Sequence, residues 1–295
     1  MKKDKYMVVE DQKRWNEFLV DILKEFIKIC EENNLRYYTS GGTALGVVRH
    51  KGIIPWDDDI DVNMPRPDYE RFLDICSKRD MGNYEIVTAY NTPNYPLYFS
   101  KMCNKNTTLV EDAHTPCVIG LYIDIFPLDA TADNLDEAYA MMCRFQKIKN
   151  RLEAISTRVS FWSYLQLLLK PHDWGRFVYK TIGFLARSSY RKSLLKKLDA
   201  IAKSHSFETA KNVVLYPGPY GRRDIYSKEW FSDGTELPFE GLMVSVPKSY
   251  DTYLKHLFGD YMQFPPEEQR KSHHTKAYYN YDKRLSLAET RNKRL

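Results

Sequence analysis

The sequence predicts an α/β fold of the α+β kind, in which a core of mixed strands and helices is interrupted by a helical insert. Amphipathic helical segments and short strand-like apolar runs alternate before residue 134, and strand-like runs return after residue 213. Between them, residues 134–205 are helical in pattern and carry many aromatic and basic side chains. The chain of 295 residues, 43% of them hydrophobic, is long enough to bury a sizeable core.

The first predicted elements lead from a helix to a glycine pair. Apolar residues recur at helical spacing from Trp15 to Cys30, so this stripe is expected to face the core. Asn33 and Asn34 end the helix, and residues 35–38 form a strand that runs into Gly41 and Gly42. Residues 43–50 are predicted as a short helix, after which a loop leads to an acidic strand.

The later elements complete this core around the insert. A helix is predicted over residues 67–77, with Pro67 in its first turn, where a missing N–H costs nothing. The other predicted elements are strands at residues 84–89, 97–103, 107–111, 118–126 and 241–246 and helices at residues 134–155 and 247–258.

These elements divide the chain into four parts. Residues 1–133 form the first part of the core, and residues 134–205 form the insert. Residues 206–275 complete the core, and residues 276–295 are expected to be a charged tail that lies on the surface or is partly disordered.

Charge and cysteine content exclude several classes of protein. A net charge of +5 fits anionic substrates or a membrane surface but is too small to indicate nucleic-acid binding. The five scattered cysteines indicate reduced thiols in a cytosol. The amino-terminal residues lack the apolar stretch of a secretory signal, and no apolar run approaches the roughly 18 residues of a spanning helix. We expect a cytoplasmic protein, with peripheral contact to the inner face of the membrane left open.

An acidic run inside residues 40–64 is the clearest sign of chemistry. Asp57, Asp59 and Asp61 occupy alternate positions, and in an extended segment alternate side chains share one face, about 7 Å apart. Carboxylates placed in this way repel one another unless a positive group lies between them, and Mg²⁺ is the simplest candidate. A solvated turn is the alternative, because Pro55 and Trp56 precede the run, but the flanking apolar residues favour a metal site.

Five blocks of the sequence resemble the LicD family of phosphotransferases, which is related to fukutin and fukutin-related protein. The longest block is GGTALGVVRHKGIIPWDDDIDVNMPRPDYERF, residues 41–72, and the second is residues 122–129. Shorter similar blocks lie at residues 220–224, 247–251 and 258–262. The resemblance implies a nucleotidyltransferase-type core, in which a glycine turn precedes a strand with two acids and a later strand supplies a third.

The resemblance also assigns roles to residues. Asp59 and Asp61 are the first two acids and Asp124 is the third, so these three are the predicted catalytic residues. Together with Asp57 they are the predicted ligands of Mg²⁺, or of Mn²⁺, with two ions expected as in other phosphoryl-transfer sites.

The predicted phosphate contacts come from the glycine turn and from basic residues. Gly41 and Gly42 let phosphate approach the backbone, and Thr43 begins the helix whose amino terminus attracts anions. Lys101 is expected to contact the ligand. For Arg49 two interpretations stay open, a contact with a diphosphate or a salt bridge to an acid of the run.

Packing is the favoured interpretation of His50 and Trp56, and a surface role is favoured for His273 and His274.

The implied donor is a CDP-alcohol, commonly CDP-choline, and the implied acceptor is a glycan or a lipid-linked glycan. Three alternatives stay open: a cytidylyltransferase that makes a CDP-alcohol from CTP, a transferase that uses CDP-ribitol or CDP-glycerol, and a binding protein without catalysis. Choline calls for an aromatic cage, but the sequence does not say which rings converge. The insert is expected either to lie on an anionic membrane or to pack on the core or a second subunit.

Overall fold

The computed structural model describes residues 6–157, 174–175, 177–178, 187–272 and 274–293. Its strands, in chain order, are β1 (Tyr38–Thr39), β2 (Asp61–Pro65), β3 (Tyr84–Val87), β4 (Ser100–Asn104), β5 (Thr108–Val110), β6 (Tyr122–Thr131), β7 (Asn212–Val214), β8 (Ile225–Ser227), β9 (Thr235–Phe239), β10 (Leu242–Val246) and β11 (Tyr278–Asn280). Its α-helices are α1 (Gln12–Glu32), α2 (Gly41–His50), α3 (Arg66–Lys78), α4 (Leu135–Ser156), α5 (Arg187–Ala202), α6 (Tyr250–Phe258) and α7 (Leu287–Asn292).

The central sheet is mixed, as the sequence predicts for an α/β protein. Its strands follow the order β1-β2-β6-β4-β3, and β7 and β8 extend it beyond the far end of β6. Strands β2 and β6 are parallel, whereas the other neighbours in this sheet are antiparallel. The long β6 therefore lies between the acidic β2 and β4, and it pairs with β7 through its last residues.

The two faces of the sheet are covered by different layers. Val62 and Met64 of β2 pack with Phe26 of α1 and Phe72 of α3 in the main hydrophobic cluster. Side chains alternate along a strand, so Asp61 and Asn63 point to the opposite face. A second cluster covers part of that face and brings Tyr38 and Leu128 of the sheet against Ala44 of α2 and Tyr253 of α6.

Helix α1 forms because its apolar stripe is buried and its first turn is capped. Asp11 accepts a hydrogen bond from the backbone N–H of Arg14, which satisfies one of the free donors at the helix start. Trp15, Ile22 and Phe26 of the stripe are almost fully buried. The predicted helix over residues 15–30 is therefore confirmed, extended by a few residues at each end.

The described parts of the insert pack on the core. Phe145 and Leu152 of α4 and Leu194 and Leu198 of α5 belong to the main hydrophobic cluster. The aromatic segment around residues 161–173, on which the membrane hypothesis depends, lies outside the described residues. Among the described residues, no helix is both long enough and apolar enough to cross a bilayer.

The charged carboxyl-terminal residues differ from the expected tail. Strand β11 pairs with β5, and Tyr278 packs with Val110 and Leu285 in a small cluster of its own. Helix α7 begins with a capping box, in which the side chains of Ser286 and Glu289 satisfy each other's backbone N–H groups. Residues 276–293 thus fold against the body of the protein, because their aromatic residues bury apolar surface despite the surrounding charge.

Candidate active site

Three charged side chains lie side by side on neighbouring strands of the sheet. Asp61 of β2 is the register partner of Asp124 of β6, and Asp124 is also the register partner of Lys101 of β4. Paired residues on adjacent strands project to the same face, so the two acids and the lysine form one row. The backbone N–H of Asp124 donates to the carbonyl of Ile60 at 2.8 Å, which holds the two acidic strands in this register.

The glycine turn at the start of α2 lies against this row. Gly41 has a φ of +48°, a conformation that other residues adopt only at a cost, and the space beside its Cα opens towards Asp61. A Cβ on Gly42 would lie 2.8 Å from Asp57 Oδ2. The Thr43 hydroxyl accepts a hydrogen bond of 2.8 Å from the backbone N–H of Asp61. The turn is therefore fixed directly onto the acidic strand, and a side chain at Gly42 would press against the Asp57 carboxylate.

Asp59, Asp61 and Asp124 converge on a common point. Each offers a carboxylate oxygen, and these oxygens lie within 4.8 Å of one another. Burial raises the pKa of all three carboxyl groups, and the charges of the neighbouring acids raise that of Asp61 further. Asp61 Oδ1 is buried without a hydrogen-bond partner among the described residues.

This arrangement fits a hard divalent cation. Buried polar atoms are nearly always paired, so an orphaned carboxylate oxygen inside an acidic cluster indicates a missing positive partner. Mg²⁺ takes oxygen ligands of this type. Asp57 extends the cluster on the side of Asp59, and burial together with the charge of Asp59 raises the pKa of Asp57 to about 8.

Lys101 is a buried ammonium group held by acids and an aromatic ring. Its side chain is 1% exposed, and its Nζ lies 2.7 Å from Asp124 Oδ1 and 3.4 Å from Glu111 Oε1. The same atom lies 3.3 Å from the ring centroid of Tyr122, whose hydroxyl donates to Glu111. Burial acts to lower the pKa of Lys101, but Asp124 and Glu111 outweigh it and the pKa is raised. Lys101 therefore stays charged and fixes the orientation of Asp124.

Sequence reasoning missed a second charged group, in which Asp58 is the central residue. Asp58 is buried and accepts hydrogen bonds from Ser272 and from Lys276, and its Oδ1 lies 2.9 Å from His274 Nδ1. Although burial acts to raise the pKa of Asp58, these bonds lower it to about 2.

His274 joins this group to the acidic cluster. Its Nε2 lies 3.3 Å from Asp59 Oδ2, and the hydrogen bond to Asp58 raises the pKa of His274 to about 9. The expected surface role is therefore incomplete: the ring is partly exposed, but it lines the same cavity as the acids. No spacing signal links residues that lie 216 positions apart.

Arg49 lies apart from the acids. Its guanidinium donates to the backbone carbonyls of Tyr261 and Gln263 and lies 4.7 Å from the ring centroid of Phe264. Among the described residues Arg49 forms no ion pair with an acid of the run, and it does not line the cavity over the acids, whereas its contact with a diphosphate stays a prediction. Trp56 packs edge-on against His50 and Phe264, in keeping with the packing role expected of both.

A cavity of about 280 Å³ opens over the row of charged residues. Its residues are Ser40, Gly41, Gly42, Asp59, Asp61, Leu97, Phe99, Lys101, Glu111, Tyr122, Asp124, Phe126, Leu215, Pro217, Gly218, Pro219, Tyr220 and His274. The cavity thus combines a polar end, with the glycine turn and the acids, and an apolar end formed by phenylalanine, leucine and proline side chains. Of the predicted site residues, Gly41, Gly42, Asp59, Asp61, Lys101 and Asp124 line it.

Comparison with known proteins identifies relatives of this chain. Residues 34–155 match a family model described as LicD/FKTN/FKRP, nucleotidyltransferase domain. The chain is 29% identical over 265 residues to the lipopolysaccharide cholinephosphotransferase LicD of Haemophilus influenzae, which covers 88% of this chain and 94% of that protein.

Two shorter matches are to uncharacterized proteins of Rickettsia. The protein of Rickettsia typhi is 37% identical over 68 residues, 23% of this chain and 22% of its own length. The protein of Rickettsia prowazekii is 35% identical over 75 residues, 25% of this chain and 28% of its own length. The two Rickettsia matches therefore cover about a quarter of this chain each, whereas the match to the Haemophilus protein covers most of both chains.

Proposed function

We propose that this chain, whose residues 34–155 match the LicD/FKTN/FKRP family model, is a phosphotransferase that moves phosphocholine from CDP-choline to a hydroxyl group of a surface glycan and releases CMP. The proposed acceptor is lipopolysaccharide, teichoic acid or a lipid-linked precursor of such a glycan. The relative of nearly equal length is a lipopolysaccharide cholinephosphotransferase by name, which supports both the group transferred and the class of acceptor.

The observation that carries the proposal is the convergence of Asp59, Asp61 and Asp124 around a buried, unpartnered oxygen. We propose that these three acids, with Asp57 beside them, hold Mg²⁺ or Mn²⁺, with room for up to two ions. Such ions supply charge neutralisation to the transferred phosphoryl group and to the leaving phosphate.

The protein's own contribution is then to position the reactants. The Gly41–Gly42 turn allows phosphate to approach the backbone, and the amino terminus of α2 favours its negative charge. Lys101 holds Asp124 in place by donating a hydrogen bond to its Oδ1. Asp124 then accepts the proton of the hydroxyl group that attacks the phosphorus.

Product analysis tests the proposal. Purified protein is incubated with Mg²⁺, a glycan acceptor and CDP-choline, and in parallel with CTP and phosphocholine. We expect CMP and a phosphocholine mass gain on the glycan in the first mixture, and neither product with the Asp59→Asn variant. Asp74→Asn, which alters an exposed carboxylate paired with Lys78 on α3, is the matched control and should retain activity.

The other outcomes separate the alternatives. Pyrophosphate from the second mixture would replace the proposal with a cytidylyltransferase. CMP from CDP-ribitol or CDP-glycerol but not from CDP-choline would keep the reaction type and change the transferred group. Full activity of the Asp59→Asn variant would contradict the placement of the metal site.

A further inference from the structure

Two phenylalanine side chains at the apolar end of the cavity lie next to the acids on the same face of the sheet. Phe126 follows Asp124 by two residues on β6, and Phe99 precedes Lys101 by two residues, immediately before β4. Residues two apart on a strand share a face and lie about 7 Å apart. The two rings meet with their centroids 4.2 Å apart and tilted by 42°, and both line the cavity.

We propose that Phe99 and Phe126 form the subsite for the trimethylammonium group of the transferred phosphocholine. This inference rests on the proposed function and names the part of the site that would select choline. In phosphocholine a two-carbon spacer joins the phosphate to the quaternary nitrogen. When the phosphorus atom is bound at the acids, this nitrogen lies about as far from it as the next side chain on the same face of the strand. The phenylalanine pair occupies that position.

The chemistry of the two rings suits this group. A quaternary ammonium carries no N–H, so it gains from aromatic faces and apolar contact rather than from hydrogen-bond acceptors. Phenylalanine offers a ring face with no competing hydroxyl, and Leu97 and Leu215 continue the apolar wall. Both rings are only partly buried, so each has surface that a ligand can cover.

The charges around the rings are largely paired with one another. Lys101, whose ammonium lies 5.5 Å from the Phe99 centroid, is neutralised by Asp124 and Glu111, and Asp59 faces His274. The attraction for the trimethylammonium group therefore comes from the ring faces and the apolar wall, with the charge of Lys101 compensated by its own acids.

The cytosine base of the donor is the competing occupant. A second phosphate and a ribose separate the base from the reacting phosphorus. When that phosphorus is bound at the acids, the base therefore lies farther from them than the phenylalanine pair does. The tilt between the two rings also leaves no parallel slot for a flat base. The rings therefore suit the compact, rounded trimethylammonium group better.

Binding measurements test this inference without requiring turnover. Dissociation constants of CDP-choline, CDP-ethanolamine and CMP are measured calorimetrically for the wild type and for Phe99→Leu and Phe126→Leu. We expect affinity for CDP-choline to fall about 5- to 30-fold, and affinities for the other two to change less than about 2-fold. Phe18→Leu, which alters a half-buried ring stacked on Tyr281 outside the cavity, should change none of them.

Fluorinated phenylalanines provide a second test in case the leucine variants fold poorly. Replacing Phe99 or Phe126 with trifluorophenylalanine keeps the ring's shape but weakens its negative face, so affinity for CDP-choline should still fall. Equal losses for all three nucleotides would show that the rings bind the base, and unchanged affinities would show that they bind neither group; both outcomes overturn the inference. Selective loss for CDP-choline with no transfer to any acceptor would support the subsite and overturn the proposed function instead.

Discussion

At the scale of one residue, Asp61 shows a conflict between the proposed metal site and the stability of the fold. Its side chain is half-buried, its Oδ1 is buried without a hydrogen-bond partner among the described residues, and two further acids face it. Burial of a charge without compensation is costly, so proteins retain such a group only where function requires it.

Replacing Asp61 with asparagine should therefore stabilise the protein while removing its activity. The amide carries no charge and needs no proton, so it removes both the repulsion by Asp59 and Asp124 and the cost of keeping the Asp61 carboxyl group protonated. We expect the free energy of unfolding without metal to rise by about 1–2 kcal/mol, and turnover to fall by about 10²-fold or more, because a charged group at the reaction centre is lost. Urea denaturation and CMP release measure the two effects. A variant that is both less stable and still active would contradict our assignment of Asp61.

Sequence reasoning could name the acids at this scale but not their partners. The alternation of Asp59 and Asp61 is visible in the sequence, and Asp124 follows from the family resemblance. The ion pair between Lys276 and Asp58 depends on the path of the whole chain, because 218 residues separate the partners. Arg49 shows the opposite problem: its closeness to the acidic run in sequence suggested a contact, but the last turn of α2 directs it to Tyr261 and Gln263.

At the scale of elements, α2 couples the glycine turn to the acidic strand. The helix begins at Gly41, two residues earlier than predicted, because the two glycines are its first turn rather than a loop before it. Strand β2 begins only at Asp61, so Asp59 belongs to the extended segment that precedes the strand. Sequence pattern located these elements well, and the deviations fall where the backbone serves the site rather than the hydrophobic core.

Two glycine-to-alanine substitutions in α2 should distinguish the contribution of this helix to activity from its contribution to stability. A Cβ at Gly42 would meet only the carboxylate end of Asp57, at 2.8 Å, so Gly42→Ala should displace that side chain and reduce turnover at least about tenfold with little loss of stability. A Cβ at Gly46 would lie 2.6 Å from the backbone carbonyl of Gly52, which cannot move freely. Gly46→Ala should therefore cost about 1–3 kcal/mol of stability.

Thermal unfolding and steady-state kinetics on both variants provide the measurement. The Gly46→Ala enzyme should retain most of its turnover at temperatures where it is folded. If the two variants instead lose activity and stability in the same proportion, α2 acts as one structural unit and the glycine turn has no separate role in the site.

At the scale of the whole molecule, the carboxyl-terminal residues close the site that the amino-terminal half builds. Strand β11 pairs with β5, and the segment leading to it carries Lys276 and His274 to Asp58. The sequence suggested a tail because charged residues dominate these positions, and composition does not distinguish a solvated charge from one that is paired inside the fold. The candidate site therefore depends on segments that are far apart in the sequence.

The same clustering of charge makes the stability of the metal-free protein depend on pH. The pKa of Asp57 is raised to about 8, and the pKa values of Asp59, Asp61 and Asp124 are also raised. An acid with a raised pKa in the folded state keeps its proton while the unfolded chain releases it. Stability should therefore fall as the pH rises from about 4, the unfolded value, towards 8.

Mg²⁺ should reverse this trend, because a cation binds the ionised carboxylates and must displace their protons. We expect the rise in melting temperature on adding Mg²⁺ to be larger at pH 8 than at pH 5.5, since for each displaced proton the apparent dissociation constant falls by about tenfold per pH unit. Thermal unfolding with and without Mg²⁺ at the two pH values measures this, with the Asp59→Asn/Asp61→Asn double variant as control. A stabilisation that is independent of pH, or that survives in the double variant, would place the bound ion elsewhere on the protein. Stabilisation by Mg²⁺ that occurs only in the wild type and is larger at high pH would show that the ion binds the cluster of Asp59, Asp61 and Asp124 and displaces its protons.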